Sequence, residues 1–182
     1  MSFMIAFTAL VGVLGVLNLF LTTGVIRRLR ERSAPPQSLR PEPPKVMIPN
    51  GTEVGSFTAS TVDEEQVSPA IFADGVTLVG VFAQGCESCD ERLPDFLSTA
   101  TTFPGGRERV FALLIGAGED VVEKRAALSR VGRVVLEEKP GGPVAKAFGV
   151  KGYPAFAMVD SLGRVRSSGV HVEHATSVTV GA

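Results

Sequence analysis

Hydrophobic positions fall into three regimes along the chain. From Phe3 to Ile26, 24 residues pass without a charged side chain. At about 1.5 Å per helical residue, such a run can cross a hydrocarbon layer of roughly 30 Å. It predicts one N-terminal transmembrane helix. A buried core helix is usually shorter and carries a polar stripe. A cleaved secretory signal places its basic residues ahead of the apolar stretch, whereas here Arg27, Arg28, Arg30 and Arg32 follow it. Residues 1–32 therefore read as a span with a basic collar. Residues 33–49 hold six of the 12 prolines, namely Pro35, Pro36, Pro41, Pro43, Pro44 and Pro49. Proline at this density blocks helix and sheet hydrogen bonding and predicts an extended linker. From residue 50 onward the apolar residues gather in short clusters separated by turns, the pattern of one small domain, residues 50–182.

Within that domain the clusters alternate in period. Val76 to Phe82 is a continuous β-rich run, as expected of a strand covered on both faces. Leu93, Phe96, Leu97 and Ala100 then recur at helical spacing and stop before Pro104-Gly105-Gly106. Val110 to Ile115 predicts a second strand. Glu119 to Val131 predicts a helix with Val121, Val122, Ala126, Leu128 and Val131 on its apolar face. Val134 to Leu136 reads as a brief strand, and Pro143 to Phe148 as a short helix closed by Gly149. Ala155 to Val159 and Val165 to Val170 flank Asp160-Ser161-Leu162-Gly163, a hairpin turn. Strand–helix alternation followed by a hairpin predicts an α/β domain, a parallel sheet extended by antiparallel strands with helices on both faces.

Charge adds an asymmetry. The chain carries 18 Lys and Arg against 19 Asp and Glu, a balance that argues against nucleic-acid binding. Residues 50–182 hold 12 basic and 17 acidic side chains, a net −5, while the first 49 residues carry +4. The collar suits an anionic lipid surface and the acidic domain does not. Basic residues concentrate on the cytoplasmic side of a span, so the collar favours a domain inside the cell.

The candidate chemistry is concentrated at Cys86-Glu87-Ser88-Cys89, where the first strand gives way to the helix. Two intervening residues at a helix start put both thiols on one face, within the roughly 4.4–6.8 Å Cα separation that a disulfide tolerates. Unpaired N–H groups and the positive end of the helix dipole stabilise a thiolate on the first cysteine. Cys86 is thus the expected nucleophile toward a partner disulfide, and Cys89 the resolving thiol. Pro94 lies five residues further on, where it removes one helical hydrogen bond and crowds the carbonyl of Asp90. Pro154, in Gly152-Tyr153-Pro154, sits at the first residue of a strand, where proline is permitted and a cis bond is at home.

Cys-x-x-Cys with Pro94 behind it, and Gly-Tyr-Pro before an apolar strand about 60 residues later, resembles the thioredoxin-like superfamily. Gly55-Ser56-Phe57-Thr58, Val67-Ser68, Gly75 to Cys89 and Asp160 to Val165 are similar to its membrane-anchored TlpA/ResA-like branch, which includes the MauD type. The resemblance implies a three-layer α/β/α sandwich with a mixed sheet behind a single-pass anchor. It implies a thiol–disulfide oxidoreductase with protein thiol clients, a redox donor, and no cofactor beyond the Cys86–Cys89 disulfide. It also implies that Pro154 is a cis-proline facing the pair, that Tyr153 offers backbone groups to a bound peptide, and that the domain lies outside the cell, against the collar's indication.

The sequence departs from that pattern at several positions. Gly85 stands where most members have Trp, and Gly80 where thioredoxin proper has a buried Asp. Ser88 replaces the proline of the Cys-Glu-Pro-Cys variant that Glu87 matches. His171 to Ala182 is short and rich in β-branched residues where the fold usually closes with a helix, which predicts a sheet less covered on one face. Glu87, Asp90 and Glu91 oppose a thiolate at Cys86 and offset part of the dipole effect. A less stabilised thiolate makes a more reducing couple, so a reductant or isomerase is expected. Two other readings stand beside this one. A peroxiredoxin would have Thr and Pro shortly before its peroxidatic cysteine, whereas Phe82-Ala83-Gln84-Gly85 precede Cys86. A binding or assembly module would keep the fold with structural cysteines. A zinc site would need more thiols or closer histidines than His171 and His174 provide.

Overall fold

The computed structural model describes Phe7 and residues 45–176. Apart from Phe7, the expected span, its collar and all but the end of the linker lie outside the described residues. Among the described residues no helix is long and apolar enough to cross a membrane. The chain divides into two compact units, Met1–Glu42 and Pro43–Ala182. In the first only Phe7, helical and exposed, is described. All that follows concerns the second.

Its elements run β1 (Ala59–Ser60), β2 (Gln66–Val67), β3 (Thr77–Ala83), α1 (Glu87–Thr101), β4 (Val110–Ile115), α2 (Glu119–Ser129), β5 (Arg133–Glu137), α3 (Pro143–Ala147), β6 (Ala155–Val159), β7 (Val165–Gly169) and α4 (Val172–Thr176). β1 and β2 form a small antiparallel ribbon. The other five strands form a mixed sheet ordered β5-β4-β3-β6-β7. β3, β4 and β5 are parallel, β6 runs antiparallel to β3, and β7 antiparallel to β6.

Both faces of the sheet are covered, and strict alternation divides each strand between two cores. On one face Leu78, Phe82, Ala112, Leu114, Phe156 and Met158 meet Phe96 and Ala100 of α1, Val121 and Leu128 of α2, and Val172 and Ala175 of α4. On the other, Val79, Val81, Phe111, Leu113, Ala157 and Val159 meet Val144 and Phe148 at α3, with Phe57 and Phe72 from the segment before β3. Two-sided burial explains why β3 and β4 read as unbroken apolar runs. The β6–β7 turn forms as its sequence dictates. The Asp160 carboxylate accepts the backbone N–H groups of Leu162 and Arg164 at 2.9 Å each, and Gly163 takes φ +73°.

Three expectations are corrected. The linker ends earlier than its last proline: Val46 and Met47 are buried in the core. Ile48 N–H donates to the Phe148 carbonyl at 3.0 Å, and Lys151 N–H donates to the Val46 carbonyl at 2.8 Å. An apolar triplet between prolines gains more by covering the sheet than by staying in water. The chain end is not bare either. The short helix α4 lays Val172 and Ala175 over β6 and β7, and the Ser167 hydroxyl donates to the Ala175 carbonyl; residues 177–182 lie outside the described residues. Third, the buried stripe of α2 is Val121, Lys124 and Leu128, whereas Val122 is 60% exposed and Ala126 also faces solvent. A lysine occupies a core-facing position because, as described next, two carboxylates receive it.

Candidate functional site

β3 ends at Ala83, and three residues later Cys86 caps α1. Cys86 is in extended conformation. Its carbonyl accepts Cys89 N–H at 2.9 Å and Asp90 N–H at 3.2 Å, and its Sγ accepts Cys89 N–H at 3.2 Å. The two sulfurs are bonded in this structure, with Cα atoms 5.1 Å apart. Their environments differ sharply. Cys86 is partly exposed, while Cys89 is 0% exposed and belongs to the core beneath α1. An incoming sulfur can reach the first and not the second. Once the bond is opened, a thiolate at Cys86 would face the Cys89 N–H at the positive end of the helix.

The neighbouring strand brings the second element. Val81 of β3 pairs with Ala155 of β6, so Pro154 stands beside the end of β3 from which the cysteine loop departs. The Tyr153–Pro154 bond is cis and Pro154 is buried. Tyr153 and Cys86, both partly buried, pack against the same two cores. Burial raises the Tyr153 hydroxyl above its ordinary 10.0, and the Glu137 charge raises it further. Glu87 and Ser88 are exposed in the first turn, and α1 continues through an exposed Pro94.

Three contacts tie this loop and the start of α1 to α2 and the turn before it. The Gln84 amide oxygen accepts Ala117 N–H at 3.0 Å. Gly85 N–H donates to the Asp120 carboxylate at 3.1 Å. Lys124, 4% exposed, places its ammonium 2.8 Å from Asp90 and 2.9 Å from Asp120. Gly85 adopts φ +64°, which favours glycine and accounts for the missing Trp. Asp120 is held below its ordinary 3.8, first by the Lys124 ammonium and then by the Gly85 N–H. Burial alone would lower Lys124, but the hydrogen bonds its ammonium donates to Asp90 and Asp120 outweigh it and hold the group above 10.5. A depressed acid stabilises the fold above its unfolded value, and a raised base does so below its own. Asp120 therefore contributes stability that is fully present above 3.8 and lost as the pH falls through its lower folded value. Lys124 contributes stability fully present below 10.5 and lost as the pH rises through its higher folded value.

Two buried charged groups were not singled out from the sequence. Lys124 could have been found as a charge within a helical stripe of buried positions. Glu137 could not, because it opens the charged run Glu137-Glu138-Lys139. It is buried at the end of β5, where its carboxylate accepts Val144 N–H at 2.6 Å and Ala145 N–H at 3.3 Å, seating the first turn of α3. A Cβ at Gly142 would fall 2.3 Å from that carboxyl carbon. Among the described residues no group of three or more His, Cys, Asp or Glu is placed to hold a metal ion. His171 and His174 stack edge to face at 5.2 Å, on and just before α4.

Comparison with known proteins places this geometry. No protein-family model matches the sequence, and no curated protein does. Solved structures do match. A thiol-disulfide oxidoreductase from Bacteroides fragilis superposes with a TM-score of 0.54 at 14% identity, covering 69% of this chain and 96% of that one. The thioredoxin domain of a thiol-disulfide oxidoreductase from Bacteroides vulgatus gives 0.53 at 21% identity, covering 65% and 86%. A thiol:disulfide interchange protein from Bacteroides sp. gives 0.53 at 20% identity, covering 66% and 81%. The fold is thioredoxin-like.

Proposed function

We propose that this chain is a membrane-anchored thiol–disulfide oxidoreductase that reduces disulfides in protein clients through Cys86 and Cys89. The observation that carries the reading is the asymmetry of the pair, one sulfur open and one sealed at the start of α1. Reduced Cys86, as thiolate, attacks one sulfur of a client disulfide and expels the other as a thiolate. A mixed disulfide links Cys86 to the client. Cys89 then loses its proton and attacks the Cys86 sulfur, releasing the client's second thiol and closing the Cys86–Cys89 bond. Two electrons have passed to the client, and a donor dithiol restores the pair by the reverse path. The two sulfurs carry the redox equivalents, so the reaction calls for no further cofactor.

The carboxylates around the pair support the reducing direction. Asp90 is paired with Lys124, but Glu87 and Glu91 remain exposed in the first two turns of α1 and oppose a thiolate at Cys86. The apolar run from Phe3 to Ile26 would supply the anchor. The arginine collar argues for a cytoplasmic domain and the family resemblance for an extracytoplasmic one. A membrane-impermeant maleimide applied to intact cells distinguishes them.

Insulin reduction and peroxide consumption, run side by side with dithiothreitol as donor, test the activity. We expect the full chain to reduce insulin over many turnovers and to leave hydrogen peroxide at its uncatalysed rate. Peroxide turnover without insulin reduction would instead make the protein peroxiredoxin-like. Activity in neither assay would leave a binding module.

A further inference from the structure

The tetrapeptide Cys86–Cys89 is held at both ends by one buried ammonium. Gly85, the residue before it, gives its N–H to Asp120; Asp90, the residue after it, gives its carboxylate to Lys124; and Lys124 joins the two carboxylates. Lys124 is 4% exposed on a helix whose other buried positions are apolar. A lysine so enclosed costs desolvation unless its carboxylates compensate, and an apolar residue would pack α2 against the sheet without that cost. The arrangement thus invites a role besides packing. We propose that Lys124 is a positioning residue that holds the Cys86 loop against α2 and, by cancelling the charge of Asp90, keeps the Cys86 thiol more acidic than the carboxylates around it would allow.

The inference rests on the exchange reading for its biological meaning, but its physics concerns one thiol and can be measured without a client. The charges near the pair are Glu87, Asp90 and Glu91 on α1 and Asp120 and Lys124 on α2, and Tyr153, just before β6, packs against the same cores as Cys86. Asp90 lies four residues after Cys86, one helical turn away, where its charge would oppose a thiolate. With the ammonium present that charge is compensated. Without it, Asp90 and Asp120 stand as two uncompensated anions against the loop.

A purely structural tie and an electrostatic one predict different signs. Lys124→Met breaks the contacts and exposes the carboxylates; Asp90→Asn breaks one contact and removes a carboxylate. If the contacts matter only as a tether, both variants shift the thiol in the same direction. If the charge matters, the shifts oppose. The experiment follows the rate of alkylation of Cys86 by iodoacetamide against pH in the reduced full chain, with Cys86 identified by peptide mass. We expect Lys124→Met to move the titration to higher pH and slow the neutral-pH rate about three- to tenfold, Asp90→Asn to move it lower and speed the rate by a similar factor, and Lys124→Arg to track the wild type. Should Lys124→Met not fold, the faster Asp90→Asn and the unchanged Lys124→Arg still carry the inference. Shifts of the same sign, no shift at all, or a slowed Lys124→Arg would overturn it. A chain that shows the opposed shifts yet reduces no insulin would retain the positioning role and lose the exchange reading.

Discussion

Replacing Cys86 with serine reduces disulfide exchange to the uncatalysed background, whereas replacing Cys89 leaves a protein that attacks once and stops. The two outcomes follow from unequal burial. Cys86 is the sulfur within reach of a partner, and serine cannot form the mixed disulfide. Cys89 is 0% exposed and sits beneath α1. Its thiol meets no client, but it lies one helical turn from Cys86 and is placed to resolve whatever Cys86 has captured. In Cys89→Ser the mixed disulfide has no internal exit and accumulates. Non-reducing electrophoresis after incubation with a disulfide-bearing client should show a new covalent band for Cys89→Ser, none for Cys86→Ser, and collapse of that band on adding dithiothreitol. Equal trapping by both variants would mean that either sulfur can lead and that burial does not set the order.

The second large effect concerns stability. Gly80→Asp, which would restore the buried acid of thioredoxin proper, should unfold a substantial fraction of the protein. Gly80 lies in the middle of β3, paired with Ala112 on one side and Phe156 on the other. A Cβ there would stand 2.6 Å from Phe96 Cε2, 2.7 Å from Phe96 Cζ and 3.0 Å from Phe82 Cε2. Phe82, Phe96 and Phe156 form a closed aromatic group, with ring centroids 5.3 and 5.7 Å apart and no free side onto which a ring could move. Overpacking of this kind costs about 1–3 kcal/mol. An unpartnered carboxylate in the same place adds a desolvation cost of the same order or larger. Against a typical total stability of about 5–15 kcal/mol, the sum is severe. Urea unfolding should show Gly80→Ala weakened by about 1–3 kcal/mol and Gly80→Asp by more. A Gly80→Asp midpoint equal to the wild type would mean that the rings yield.

Much of this architecture was legible in the residues. The strands were readable because a sheet covered on both faces requires continuous apolar runs, and Val110 to Ile115 and Ala155 to Val159 coincide with β4 and β6 to the residue. The cysteine pair was readable because its chemistry depends on local spacing. What escaped depends on partners far along the chain. Lys124 falls at helical spacing on the apolar stripe of α2, but the group that receives its charge there, Asp90, lies 34 positions earlier. Glu137 looks like the start of a solvated charge run until Val144 and Ala145 turn their N–H groups toward it. Val46 and Met47 were hidden by the prolines around them, whose backbone effect outweighed three apolar side chains in a local reading. The helix α4 was hidden by β-branched neighbours, because packing over β6 and β7 overrides a modest local propensity. Gly80 and Gly85 stood out as departures, but only the rings above one and the left-handed turn of the other give the reason.

The central claim, that Cys86 and Cys89 form a reversible disulfide accessible to other thiols, is tested most directly by redox titration. The full chain is equilibrated in dithiothreitol buffers of graded potential and its free thiols are counted by mass-tagging. The account predicts a single two-electron transition, about 30 mV per tenfold change in ratio, with a midpoint nearer the thioredoxin value of about −270 mV than the DsbA value of about −120 mV. Two thiols that stay open to the tag in every buffer, a bond that no buffer opens, or a midpoint at the strongly oxidising end would contradict it.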